Sequence, residues 1–171
     1  METPNAADLR NDFLGIKWGA KLDIQDGFQE LETKANVTYY RNPKMVYTVE
    51  DFTVSDVIYG SHSNRFFAVY IQIESLEVFG KIRQHLSEKY GEPKISLTMK
   101  NEQRIYSWKY KKIKIKLKHY VRDGKMKLSF YYTPLSNQVN EIQQEQYLDR
   151  RYRFFPIEKD KKPILAPLLE F

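Results

Sequence analysis

Residues 108–133, WKYKKIKIKLKHYVRDGKMKLSFYYT, constrain the fold more than any other stretch of the chain. Asp123-Gly124 lies between two alternating runs, a strong short-range signal for a β-hairpin closed by a two-residue turn. That turn sets the register: Val121 faces Met126, His119 faces Leu128, Leu117 faces Phe130 and Ile115 faces Tyr132. These pairs make one apolar face. The other face carries Lys112, Lys114, Lys116, Lys118 and Arg122, with Lys125 and Lys127 on the return strand. Side chains alternate with period two, so a one-residue slip would drive the lysines into the core. The stretch predicts a long hairpin with one buried side and one wet side.

The rest of the composition fits a sheet-rich soluble domain. Aromatics make up 15% of the 171 residues, with 13 Tyr and 10 Phe, and both types favour strands. A chain of this length suits one domain with a short appendage and buries about 70% of its unfolded surface, so it needs no staple. There are 28 Lys+Arg against 22 Asp+Glu, a net charge of +6 that permits an acidic partner without requiring one. Cysteine is absent, which excludes disulfides, thiolate metal sites and cysteine nucleophiles. The longest apolar run, residues 66–71, falls far short of the ~20 residues that cross a bilayer, so the chain is not expected to span a membrane. The opening METPNAADLRNDF shows neither the basic nor the apolar region of a secretory signal.

Taken in order, residues 1–11 read as a polar, flexible lead-in. A short apolar strand at 13–18 ends in Gly19. Leu22, Ile24, Phe28 and Leu31 then recur at rough helical spacing behind Asp23 as a cap, with Gly27 keeping that helix short. Strands are predicted at 37–40, 44–49, 53–59 and 65–74, separated by turns at Arg41-Asn42-Pro43 and at 60–64. The clearest helix covers 75–90. Ser75 is its N-cap, Phe79, Ile82, Leu86 and Tyr90 form its apolar stripe, and Gly91 and Pro93 stop it. A short strand at 95–99 leads to the hairpin. Beyond it, residues 135–152 read as a polar helix and 153–171 as an apolar tail with three prolines.

Several of these pieces occur together in a familiar order. They are Phe13-x-Gly15-Ile16-x-Trp18-Gly19, Tyr39-Tyr40-Arg41, Ile58-Tyr59-Gly60 followed by Asn64-Arg65-Phe66, and Tyr90-Gly91-x-Pro93 before Tyr106-x-Trp108. In that order the chain resembles, over residues 13–134, a poorly characterised group of small bacterial domains that open with F-x-G-I-x-W-G. Many members of the group carry export or lipoprotein signals. The resemblance implies an α+β fold and an envelope or periplasmic setting, if an export signal was removed ahead of Glu2; otherwise the chain is cytoplasmic. It brings no catalytic residues with it.

No reactive constellation is visible. His62, His85 and His119 fall on a turn, a helix and a strand without metal-ligand spacing, and His119, on the apolar side of the hairpin, reads as a hydrogen-bonded, half-buried histidine rather than a ligand. There is no glycine-rich phosphate loop, no nucleophile elbow and no H-E-x-x-H helix, so neither a cofactor nor a metal is expected. Glu50, Asp51 and Asp56 read as a solvated strand face or as counter-charges. Trp18 reads as a core residue with its N–H on a backbone carbonyl.

The expected fold is α+β: an antiparallel sheet of five to seven strands with helices packed on one face. The long hairpin 108–133 is followed by a C-terminal helix and an extended tail. The leading functional expectation is a non-enzymatic binding or assembly module with a protein partner or self-association. Its interaction segment would be the tail: Phe154, Phe155, Ile157, Ile164, Leu165, Leu168, Leu169 and Phe171. The alternative is anion binding, to nucleic acid or acidic lipid, through the basic hairpin face with Tyr120 and Tyr131 interleaved among its cations. An enzyme without a recognisable motif ranks third.

Overall fold

A computed structural model describes residues 8–54, 56–98, 102–139 and 164–171. Its centre is an antiparallel sheet of eight strands. In chain order these are β3 (Gln29–Lys34), β4 (Val37–Arg41), β7 (Val57–His62), β8 (Arg65–Ile73), β9 (Lys94–Thr98), β10 (Gln103–Tyr110), β11 (Ile113–Tyr120) and β12 (Met126–Tyr132). They lie side by side as β3-β4-β7-β8-β12-β11-β10-β9. β5 (Met45–Val49) and β6 (Phe52–Val54) leave this sheet and form a second one with β13 (Ile164–Pro167). β1 (Asp12–Phe13) and β2 (Ile16–Lys17) make a small hairpin.

This arrangement corrects the α+β expectation. Of the described residues 51% are strand and 18% helical, so the fold is mostly β. The long helix α1 (Leu76–Tyr90) does bury Val78, Phe79, Ile82 and Leu86. Yet it shares its face of the sheet with β5–β6, the β1–β2 hairpin and the end of the chain, and helices form no layer. The main core contains Phe13, Tyr47, Tyr59, Leu86, Phe130 and Phe171 together, which shows how many different elements close over that face.

The extra strands come from places where local signals mislead. The predicted N-terminal helix is a single 3-10 turn at Ile24–Asp26, with Asp23 capping it through Oδ1 and Gln25 N at 3.0 Å. Ile24, assigned above to an apolar stripe, is 80% exposed. Gly27 ends the turn at φ +97°, and QELETK then runs on as β3 because β4 offers it a ladder. Pairing overrides the weak helix preference of Glu, Leu and Lys. The predicted strand 53–59 is really two strands in two sheets, β6 and β7. The turn predicted at 60–64 contracts to Ser63 and Asn64, both with positive φ, and β7 runs through His62. Residue Leu9, placed in a flexible lead-in, is only 1% exposed and belongs to the core; residues 1–7 lie outside the described part. Of the predicted helix 135–152, a short turn α2 (Thr133–Ser136) precedes Asn137, and residues 140–152 lie outside the described part.

The hairpin itself is corrected twice. Its first strand is broken at Lys111-Lys112, where Lys111 takes φ +54°, so residues 108–110 belong to β10 and β11 is shared by two hairpins. The second loop holds four residues rather than two: Tyr120 N bonds Lys125 O at 2.8 Å, and Gly124 N bonds Tyr120 O at 2.9 Å. Register moves by two, to His119–Met126, Leu117–Leu128, Ile115–Phe130 and Ile113–Tyr132. A shift of two keeps every side chain on its face. The apolar side is therefore kept for Ile113, Ile115, Leu117, Leu128 and Phe130, all fully buried, whereas Val121, expected there opposite Met126, falls in the loop and is 58% exposed.

Candidate interaction surfaces

The basic face is the first candidate, and the new register changes its chemistry. Lys118 now stands opposite Lys127, Lys116 opposite Ser129 and Lys114 opposite Tyr131. Across the other ladder Lys109 stands opposite Lys114, so like charges oppose each other in both ladders of this face. Nor is the face wet. Lys118 and Lys127 are 5% and 8% exposed, and Ser129 and Tyr131 are fully buried. A second apolar cluster of Val37, Tyr39, Phe67, Ala68, Tyr70, Tyr131 and Leu135 occupies this side of the sheet. The Tyr131 ring meets Tyr70 edge-on at 5.8 Å and lies 5.8 Å from the Lys116 ammonium. Lys114, Lys116 and Tyr120 are partly buried, and Lys109, Lys112, Arg122 and Lys125, near the strand ends, are exposed. The residues are brought together on one face, but as a packed layer rather than an open platform.

The tail is the second candidate. Its last residues return to their own domain: β13 adds to β5 in parallel, pairing Ile164 with Met45 and Pro167 with Thr48. Leu168 and Phe171 are fully buried, and Leu169 packs at the margin of the main core. The Phe171 ring contacts those of Phe130 and His85, each at 5.1 Å, and His85 Nε2 lies 2.8 Å from the Phe171 main-chain oxygen. Ile164 and Leu165 remain 57% and 61% exposed. Phe154, Phe155 and Ile157 lie outside the described residues.

The remaining predicted positions are structural in their surroundings. Trp18 donates Nε1–H to Leu9 O at 2.8 Å and stacks on Phe66 at 4.8 Å and on Tyr132 at 6.0 Å. His62 Nδ1 meets Asn36 O at 2.8 Å, and the His119 ring lies 5.6 Å from Phe79. Glu50 pairs with Lys81 of α1 at 2.7 Å. Asp56 and Glu74 border a cleft of about 120 Å³, smaller than the roughly 300 Å³ at which small-molecule sites begin. Among the described residues no three His, Cys, Asp or Glu are grouped to hold a metal, and no helix is long and apolar enough to cross a membrane.

A third surface emerges only from the topology. β9 ends the large sheet, and among the described residues nothing pairs with its outer side. Its five residues match β10 in an uninterrupted ladder, with Ile95 against Tyr106 and Leu97 against Arg104. Ile95 and Leu97 project on the same side and are 54% and 65% exposed. Next to them Tyr106 is covered by Phe79, at 6.1 Å between rings, and by the Arg83 guanidinium at 4.4 Å, so α1 flanks the edge. Trp108 Nε1–H holds the chain entering β9 through Gly91 O at 2.8 Å. The opposite edge, β3, is different: a bulge between Glu30 and Glu32 interrupts its ladder, and its sequence is mainly polar and charged. Bulges and charges protect an edge from pairing, whereas a flat, regular, apolar edge invites it. Sequence reading found the short strand near 95–99, but an edge position is a property of the sheet and leaves no local mark.

Comparison with family models, with curated proteins and with solved structures returns no match.

Proposed function

We propose that the protein is a non-enzymatic binding or assembly module that accepts an extended chain segment along the outer side of β9. The observation that carries this reading is the open, regular edge with Ile95 and Leu97 exposed beside α1. An edge strand supplies a row of backbone donors and acceptors, and alternate side chains beside it supply selectivity. The tail contributes by completing the domain that presents this edge. Burial of Lys118 and Lys127 weighs against the nucleic-acid or acidic-lipid alternative, because diffuse phosphate attraction needs accessible cations. An envelope setting rests on the family resemblance alone.

The reading is tested with a labelled peptide carrying the Lys94–Thr98 sequence, titrated by fluorescence anisotropy. Saturable binding is expected, with slowed amide exchange in β9, and it should be abolished in an Ile95→Lys/Leu97→Lys variant of unchanged melting temperature. If neither this peptide nor a panel of extended apolar peptides alters exchange in β9, the edge is not an acceptor.

A further inference from the structure

Resting on that reading, we infer that the segment β9 accepts is the β9 of a second copy, the two strands running antiparallel about a two-fold axis through Ser96. The edge is self-complementary in that arrangement, which is the two-fold register that pairs all five residues of the strand. Antiparallel pairing centred on Ser96 sets Ile95 against Leu97 of the second copy, and Leu97 against its Ile95. Four exposed aliphatic side chains then meet on one face of the continuous sheet. Lys94 falls opposite Thr98 at each end, so the single charge of the strand never meets itself. A parallel, in-register pair would set Lys94 on Lys94, a direct like-charge contact. Pairing β9 with the β3 of another copy would meet the bulge at Glu30 and Glu32, and would be a head-to-tail contact rather than a two-fold one. The two-fold arrangement closes, buries the apolar pair and removes the open edge at once.

The chain contains no cysteine, so introduced thiols report without background. Directly opposed residues of an antiparallel pair have Cα atoms about 4.5–5.5 Å apart, within the range a disulfide bridges. Full-length Ser96→Cys is therefore expected to give a covalent dimer under mild oxidation. A mixture of Lys94→Cys with Thr98→Cys should cross-link, each alone should not, and Glu30→Cys on the opposite edge should not. Sedimentation of the unmodified protein should show a concentration-dependent dimer, weakened at least tenfold by Ile95→Lys/Leu97→Lys. A protein that stays monomeric to several hundred micromolar with no Ser96→Cys cross-link overturns the inference. So does a dimer that persists in the lysine variant. Retained peptide binding in either case leaves the acceptor reading standing, whereas loss of both removes it. Cross-linking of Lys94→Cys alone would make the pairing parallel, and would also overturn the proposal.

Discussion

Two tyrosines show what burial does to single residues here. Tyr47 of the small sheet and Tyr59 of the large one are almost wholly excluded from solvent, and their hydroxyls meet at 3.1 Å. Each hydroxyl is the other's partner, so removing one strands the second in the core. Tyr47→Phe or Tyr59→Phe should each cost about 1–3 kcal/mol in chemical denaturation, while the double variant should cost less than the sum. Burial raises both phenol pKa values, Tyr59 furthest, and the mutual contact raises Tyr59 again. In the unfolded chain both titrate near pH 10. The neutral forms thus stabilise the fold fully below about pH 10, and that contribution is lost as pH rises toward the folded values. Unfolding curves from pH 9 to 11.5 should show stability falling with pH, less steeply in the double Phe variant. Neither the contact nor its pH dependence is legible in the sequence, since the partners lie on strands of different sheets.

Helix α1 shows how far local rules carry at the scale of an element. Ser75 Oγ accepts from Glu77 N at 3.2 Å and Val78 N at 3.4 Å, and Gly91 closes the far end through Ser87 O at 3.0 Å. Cap, stripe and stop all sit in adjacent residues, so the element was legible before any tertiary contact was known. Ser75→Ala should lower stability by about 1 kcal/mol, read as a shift in denaturation midpoint at unchanged slope. The turn before β3 is the opposite case. A Cβ on Gly27 would lie 2.8 Å from both Asn42 Oδ1 and Lys44 Cδ, at a backbone angle only glycine takes readily. Asn42 is held there by Asp26 O at 3.2 Å and Lys44 N at 3.1 Å and cannot easily yield. Gly27→Ala should therefore cost roughly 1–3 kcal/mol, by the same measurement. That glycine looked like a weak point in a helix, whereas it is the joint that lets the chain leave a 3-10 turn for a strand.

At the scale of the whole molecule, segments distant in the chain meet in one core. Phe13 packs on Phe130 at 5.1 Å, and Phe171 packs on the same ring from β13's end at 5.1 Å. Phe171→Ala should cost about 3–5 kcal/mol, and deleting residues 164–171 should lower the melting temperature further. A deletion that left melting unchanged would mean the tail contributes nothing to its own domain. Alternation, capping and turn residues acted within a few positions, and so the sequence by itself determined the apolar face of β11 and β12, the span of α1, the core role of Trp18 and the strand content of the middle. Which sheet each strand joined was decided only by tertiary structure, because pairing energy depends on neighbours distant in the chain. The same cause made QELETK a strand, shifted the hairpin by two residues, buried Lys118 against Lys127 and left β9 at the edge. Alternation alone shows which side chains share a face; whether that face meets water, a second core or another molecule depends on what the rest of the chain lays over it.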